Sequence, residues 1–138
     1  MRGVGKMNAT HGIMALLLGI STAGCQSRLP HAQHWLRTEL YFGLSIHGGG
    51  TISEADWQTF VDEQVTPRFP DGLSIQQAEG QWKDRTGHID HESSRVLILL
   101  HPRSDDVSSK IEEIRRLYKE RFHQEAVMRV DSESDVDL

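Results

Sequence analysis

The chain of 138 residues carries 15 lysines and arginines against 20 aspartates and glutamates, a formal net charge of −5. An acidic chain without a basic cluster argues against nucleic acid and against a polybasic membrane patch. One cysteine, Cys25, excludes an internal disulfide and a cysteine-based metal site, so the folded part must rest on its apolar core.

Arg2 and Lys6 precede an apolar run from Gly12 to Ile20, and Ser21-Thr22-Ala23-Gly24-Cys25 follows. Charged start, short apolar stretch and small-residue site are the layout of a bacterial secretory signal. The run is too short for the roughly 20 residues that a membrane-spanning helix needs. Cysteine after Ala-Gly resembles the lipobox of bacterial lipoproteins, although Thr22 stands where Leu is usual. That resemblance implies cleavage before Cys25, a diacylglycerol on its thiol, and stable anchoring by two or three acyl chains such as palmitate. Ser21-x-Ala23 is a rival site that an ordinary signal peptidase would cut, releasing a soluble secreted form. Gln26 and Ser27 lack the aspartate that marks inner-membrane retention in enterobacteria, which implies the outer membrane, facing the periplasm. The expected plan is a cleaved signal at 1–24, a lipidated spacer at 25–34, one folded domain at 35–130 and an acidic tail at 131–138. The mature 114 residues suffice for one domain, and loss of Arg2 and Lys6 takes the formal charge to −7.

Within that domain, Trp35 to Ile46 alternates: Leu40, Phe42, Leu44 and Ile46 fall on one face, Arg37, Glu39, Tyr41 and Ser45 on the other, as in a strand. His47-Gly48-Gly49-Gly50-Thr51 reads as a loop. Ser53 is placed to cap a helix with Asp56 as its capping-box partner; Trp57, Phe60, Val61 and Val65 follow at helical spacing, and Pro67 stops it. Pro70-Asp71-Gly72 is a turn. A second strand is expected over Leu73 to Lys83 with a bulge or close approach at Gly80, then a polar hairpin loop over Asp84 to Glu92. Arg95 to Leu100 is a third strand, apolar on both faces. A second helix starts near Asp106 to Ser109, with Ser109 and Glu112 as a capping box. Its apolar stripe is Val107, Ile111, Ile114, Leu117, Tyr118 and Phe122. Ala126 to Val130 is the last strand, and the acidic residues 131–138 are expected to fray.

The order β-α-β-β-α-β is that of the α+β, ferredoxin-like split βαβ: a four-stranded antiparallel sheet with two helices on one face. The Thr86-Gly87 loop is too short for the helix that an all-parallel sheet would need there. Three stretches, Arg37 to Gly43, Thr66 to Leu73 and Gly80-Gln81-Trp82, resemble a small bacterial family known as domain of unknown function 3574, several of whose members are lipoproteins. The resemblance spans Trp35 to Val130 and implies a fold and an address, with no activity to transfer.

With Leu40, Phe42 and Leu44 under the helices, Arg37, Glu39 and Tyr41 stand on the open face of a central strand. Setting Ala126, Met128 and Val130 inward adds Arg129 and Asp131 to that face. Arg37, Glu39, Tyr41, Arg129 and the stacking residue Trp82 then form the candidate binding face, in which guanidiniums meet a carboxylate or phosphate. The bland alternative is a cross-strand ladder of ion pairs that only stabilises the sheet. If Val96, Ile98 and Leu100 fill the core, Leu97 and Leu99 make an apolar patch on the open face, covered by the spacer, the tail or a second copy in a homodimer.

Seven histidines remain in the mature chain. His31-x-x-His34 and His88-x-x-His91 have metal-compatible spacings, but without a helix to set them they read as loop residues, so no metal is expected; His88 and His91 are the weak candidates. The glycine run matches no nucleotide-binding fingerprint and no cofactor is implied. Two function classes follow. One is an envelope lipoprotein whose sheet face binds a small ligand or another envelope protein. The other is a small enzyme, oxygenase- or isomerase-like, on a dimeric α+β barrel.

Overall fold

Alternation of apolar and polar residues produces β1, Gln33–Gly43, whose Leu36, Thr38, Leu40 and Phe42 are buried while Arg37, Glu39 and Tyr41 are half-buried. The computed structural model describes residues 29–46, 49–83 and 87–138. The signal, Cys25, His47, Gly48, Thr86 and the side chains of Trp82 and Asp90 lie outside the described residues. After β1 come α1 (Glu54–Phe60), β2 (Ser74–Lys83), β3 (Ile89–His101), α2 (Asp105–Phe122) and β4 (Met128–Val136). The sheet is antiparallel with spatial order β2-β3-β1-β4, so β1 and β3 are central. Four strands and two helices in this order are the expected ferredoxin-like α+β architecture.

Helix α1 begins as its sequence requires. The Ser53 hydroxyl accepts from the Asp56 backbone N–H at 3.1 Å and donates to the Asp56 carboxylate at 2.6 Å. Past Phe60 the helix widens into a π turn, Val61–Val65, closed by Thr66 N–H to the Val61 carbonyl at 2.9 Å. Val61 and Val65, one turn apart as the helical spacing requires, are both buried. Helix α2 starts earlier than expected. Ser104, not Ser109, occupies the N-cap position; Ser109 lies inside the helix and donates to the Asp105 carbonyl. Its stripe of Ile111, Ile114, Tyr118 and Phe122 is buried as read, with Val107 and Leu117 packed at the margin.

These helices cover one face of the sheet. Leu40 and Phe42 of β1 and Leu97 and Leu99 of β3 join Trp57, Phe60, Val65, Ile111 and Ile114 in one core. At its centre Phe42 meets Tyr118 edge-on at 4.6 Å and Trp57 at 5.1 Å, geometries that favour aromatic quadrupoles. The Tyr118 hydroxyl donates to the Gly43 carbonyl at 2.8 Å, so a buried polar group is satisfied and α2 is tied to the end of β1.

Three expectations are corrected. Strand β3 begins at Ile89 rather than Arg95, and the β2–β3 ladder runs unbroken from Ser74↔Ile98 to Lys83↔Ile89, with no bulge at Gly80. The acidic tail does not fray: Asp131 to Val136 pair with Thr38 to Gln33, because the central strand offers backbone partners along that length. Leu97 and Leu99 are not the exposed patch. Leu97 stands opposite Leu40, which places it under the helices and sends Val96, Ile98 and Leu100 to the open face.

Candidate functional site

The open face is centred on three side chains of β1. Alternate positions of one strand project together, so Arg37, Glu39 and Tyr41 line up along the middle of the sheet. Arg37 Nε donates to Glu39 Oε1 at 2.7 Å, and the Tyr41 hydroxyl donates to Glu39 Oε2 at 2.6 Å. Both carboxylate oxygens are thus held. The Tyr41 hydrogen bond first, and the Arg37 one after it, keep the Glu39 carboxyl below the ordinary range. The same Glu39 contact pushes the Tyr41 phenol up.

Around this triad the face is apolar. The register places Val96 beside Tyr41 and Ile98 beside Glu39 on one flank, and Met128 beside Tyr41 and Val130 beside Glu39 on the other. Val96 and Ile98 are already buried in the single copy, whereas Leu100, Val130 and Met128 are 44%, 43% and 55% exposed. The exposed face of an antiparallel sheet is ordinarily polar. Trp35, half-buried, extends the row on β1 opposite Ser134. At the other end the Glu92 carboxylate folds over Gly43 and accepts the Ser45 N–H at 2.9 Å.

Arg129 is absent from this face. It pairs with Leu40 across the β1–β4 ladder, so its side chain shares the helix-covered side. There it donates to Ser108 Oγ at 3.1 Å and Glu112 at 2.9 Å, and it is paired with Asp131. Val127, not Ala126, is the buried residue ahead of β4. The reason is chemical: the rim beneath α2 supplies hydroxyl and carboxylate acceptors to a guanidinium that the apolar open face would leave without them. Next to it, buried Thr38 and His101 meet the part-exposed Asp131 in a polar cluster that no motif marks. The Thr38 hydroxyl donates to Asp131 Oδ1 at 2.6 Å and lies 2.9 Å from His101 Nε2. Strand alternation in β1 flags Thr38 as a polar residue in an inward position, which was the available signal. Burial raises the Asp131 carboxyl, but the Arg129 and Thr38 hydrogen bonds outweigh it and the net direction is down.

The remaining residues are dispersed. Trp82 pairs with Asp90 at the far end of the β2–β3 ladder, away from the triad in register. His91 lies in β3 opposite Gln81, His88 precedes that strand, and His34 is bonded to Asp135 at 2.6 Å. Among the described residues no group of three or more His, Cys, Asp or Glu is arranged to hold a metal ion, and no helix is long and apolar enough to cross a membrane. Two shallow recesses, one along α2 from Asp105 to Arg116 and one between His34, Arg103 and Glu133, do not include Arg37, Glu39 or Tyr41.

Comparison with known proteins places this arrangement in a family. A family model described as "Protein of unknown function (DUF3574)" matches residues 37–138, and the chain belongs to that family. The match includes all of β4 and runs past the Val130 limit of the sequence motifs. None of the curated proteins matches. Among solved structures, a phage SAM lyase in its apo state is similar with a TM-score of 0.57 and 18% identity, over 83% of this chain and 92% of that one. The phage SAM lyase in complex with S-methyl-5'-thioadenosine is similar with a TM-score of 0.56 and 17% identity, over 75% and 90%. CutA from Synechococcus elongatus PCC7942 follows with a TM-score of 0.50 and 11% identity, over 76% and 81%. At such identities the likeness is one of fold alone.

Proposed function

We propose that the chain is a non-enzymatic cell-envelope lipoprotein, anchored through Cys25, whose open sheet face binds a small ligand or another envelope protein. The observation that carries this reading is the apolar margin of Leu100, Met128 and Val130 around the Arg37-Glu39-Tyr41 row. The strands beneath that row are pinned by the core on their other side, so the surface is preorganised. The part-exposed Arg37 guanidinium supplies a point of attraction for an anionic group, and the apolar margin supplies area.

Acid–base catalysis is the weaker reading. A general acid or base works best with a pKa close to the working pH. In this row the carboxyl is pushed down and the phenol up, so both move away from neutrality.

A photo-crosslinking amino acid at position 130, in the full chain expressed in cells, tests the binding surface. An adduct from position 130 with none from exposed position 109 on α2 is expected. Equal adducts from both positions, or none from 130, would remove the reading.

A further inference from the structure

Strand β4 sorts its side chains by charge. Arg129, Asp131, Glu133 and Asp135 project to the helix-covered side, while Met128, Val130, Ser132, Ser134 and Val136 project to the open one. On β3, Arg95 shares the helix side, and Val96, Ile98 and Leu100 share the open side with Ser94 and Glu92 at its other end. A sheet face meant for water would be sorted the other way. The charged groups in the middle of the open face, Arg37 and Glu39, neutralise each other at 2.7 Å. With Glu92 at the Gly43 end, the open face carries one more carboxylate than guanidinium, so its net charge is low but not zero.

We infer that the occupant of this face is a second copy of the chain, packed sheet to sheet, with Arg37, Glu39 and Tyr41 of both copies enclosed between them. The inference rests on the binding-face reading above and names its partner. Charge is the first argument. A basic partner would be drawn to the carboxylates on the helix side of β4, not to this face. Two copies of one acidic chain meet with least repulsion through a surface of low net charge on which a guanidinium and carboxylates stand side by side. Area is the second argument. Four strands about 4.8 Å apart and about 33 Å long present roughly 600 Å² per copy, or roughly 1,200 Å² for the pair, which reaches the lower range of stable interfaces. The triad then lies in a closed space to which both copies contribute, so the ligand site is complete only in the pair.

Light scattering after size exclusion of the full chain in mild detergent tests this. Twice the protein mass of the single chain, as processed in the preparation and with bound detergent subtracted, is expected. Val130→Glu and Met128→Lys alter residues that are open in the single copy, so their circular dichroism should match the parent. Each should weaken pairing at least about tenfold, since an unpaired charge would be buried on both sides of the axis. Ser109→Glu on α2 should leave the pair intact. A monomeric parent, or a pair that survives both face variants, overturns the inference. The composition of the position-130 adduct separates the two levels of the argument. An adduct of two copies supports both levels. An adduct with a different molecule, or protection of the face only by phosphatidylethanolamine–phosphatidylglycerol vesicles, overturns the second copy and keeps the binding face. A monomer with no adduct overturns both.

Discussion

Leu40 and Arg129 stand directly opposite each other in the β1–β4 ladder, so a core leucine and a guanidinium project on the same side of the sheet. This pairing sets the phase of β4: it sends the charges of the last strand toward α2 and leaves Met128 and Val130 on the open face. Arg129→Met keeps the stem but removes the contacts to Ser108, Glu112 and Asp131. A loss of about 1–3 kcal/mol is expected from stranded acceptors. Urea unfolding measures it, and crosslinking from position 130 should be unchanged.

The carboxylate of Glu92 fills the space that a Cβ on Gly43 would take. Gly43→Ala must expel it and break its hydrogen bond from Ser45 N–H. We expect a cost of about 1–2 kcal/mol in the single variant. In a Glu92→Gly background the same substitution should cost markedly less, because the clash has gone. A double-mutant cycle by thermal or urea unfolding reads the difference.

The fold should also weaken in acid. Glu39, Glu112 and Asp131 all have carboxyls held below their ordinary values of 4.5, 4.5 and 3.8. For Glu39 the Tyr41 and Arg37 contacts are responsible. For Glu112 and Asp131 burial acts upward but hydrogen bonds to arginine, and from Thr38 to Asp131, outweigh it. Because the folded values lie below the unfolded ones, this stabilisation is fully present above the ordinary carboxylate range. It is lost as pH falls through the lower, folded values. Urea midpoints at about pH 7, about 5 and about 3 should fall mainly in the last interval. Asp131→Asn should flatten that decline, since its carboxylate no longer titrates.

Thr38→Val preserves shape while removing the hydroxyl between Asp131 and His101. Buried His101 and part-exposed Asp131 then lose a contact, and we expect about 1–2 kcal/mol of destabilisation by urea unfolding. A loss below a few tenths would mean that water reaches the cluster.

The elements were legible where one face of the pattern was unambiguous. Leu40 and Phe42 could only be one side of β1, although the alternation through Leu44 and Ile46 runs past its end at Gly43, and the stripe of α2 could only be a helix. Side choice failed where both parities were apolar. Val96 to Leu100 contains no polar residue to mark a face, and Ala126, Met128 and Val130 offered a longer apolar set than Val127 alone. In each case the phase comes from long-range register with β1 and, for Arg129, from acceptors on α2, neither of which is local information. The same long-range pairing turned the acidic tail into a strand. Arg37, Glu39 and Tyr41 were legible as a group because one strand carries all three. Arg129 was misplaced because its position depended on another strand.

The central claim is that the open sheet face is covered in the working protein. Its most direct test is the rate at which a maleimide labels Ser132→Cys, on that face, and Ser109→Cys, on α2, in the full chain; the parent chain with Cys25 supplies the background. Both positions are exposed in a single copy. Slow labelling at position 132 beside fast labelling at position 109 is the predicted result, with the difference abolished by Val130→Glu. Equal, fast labelling at both positions in the parent background would contradict the account.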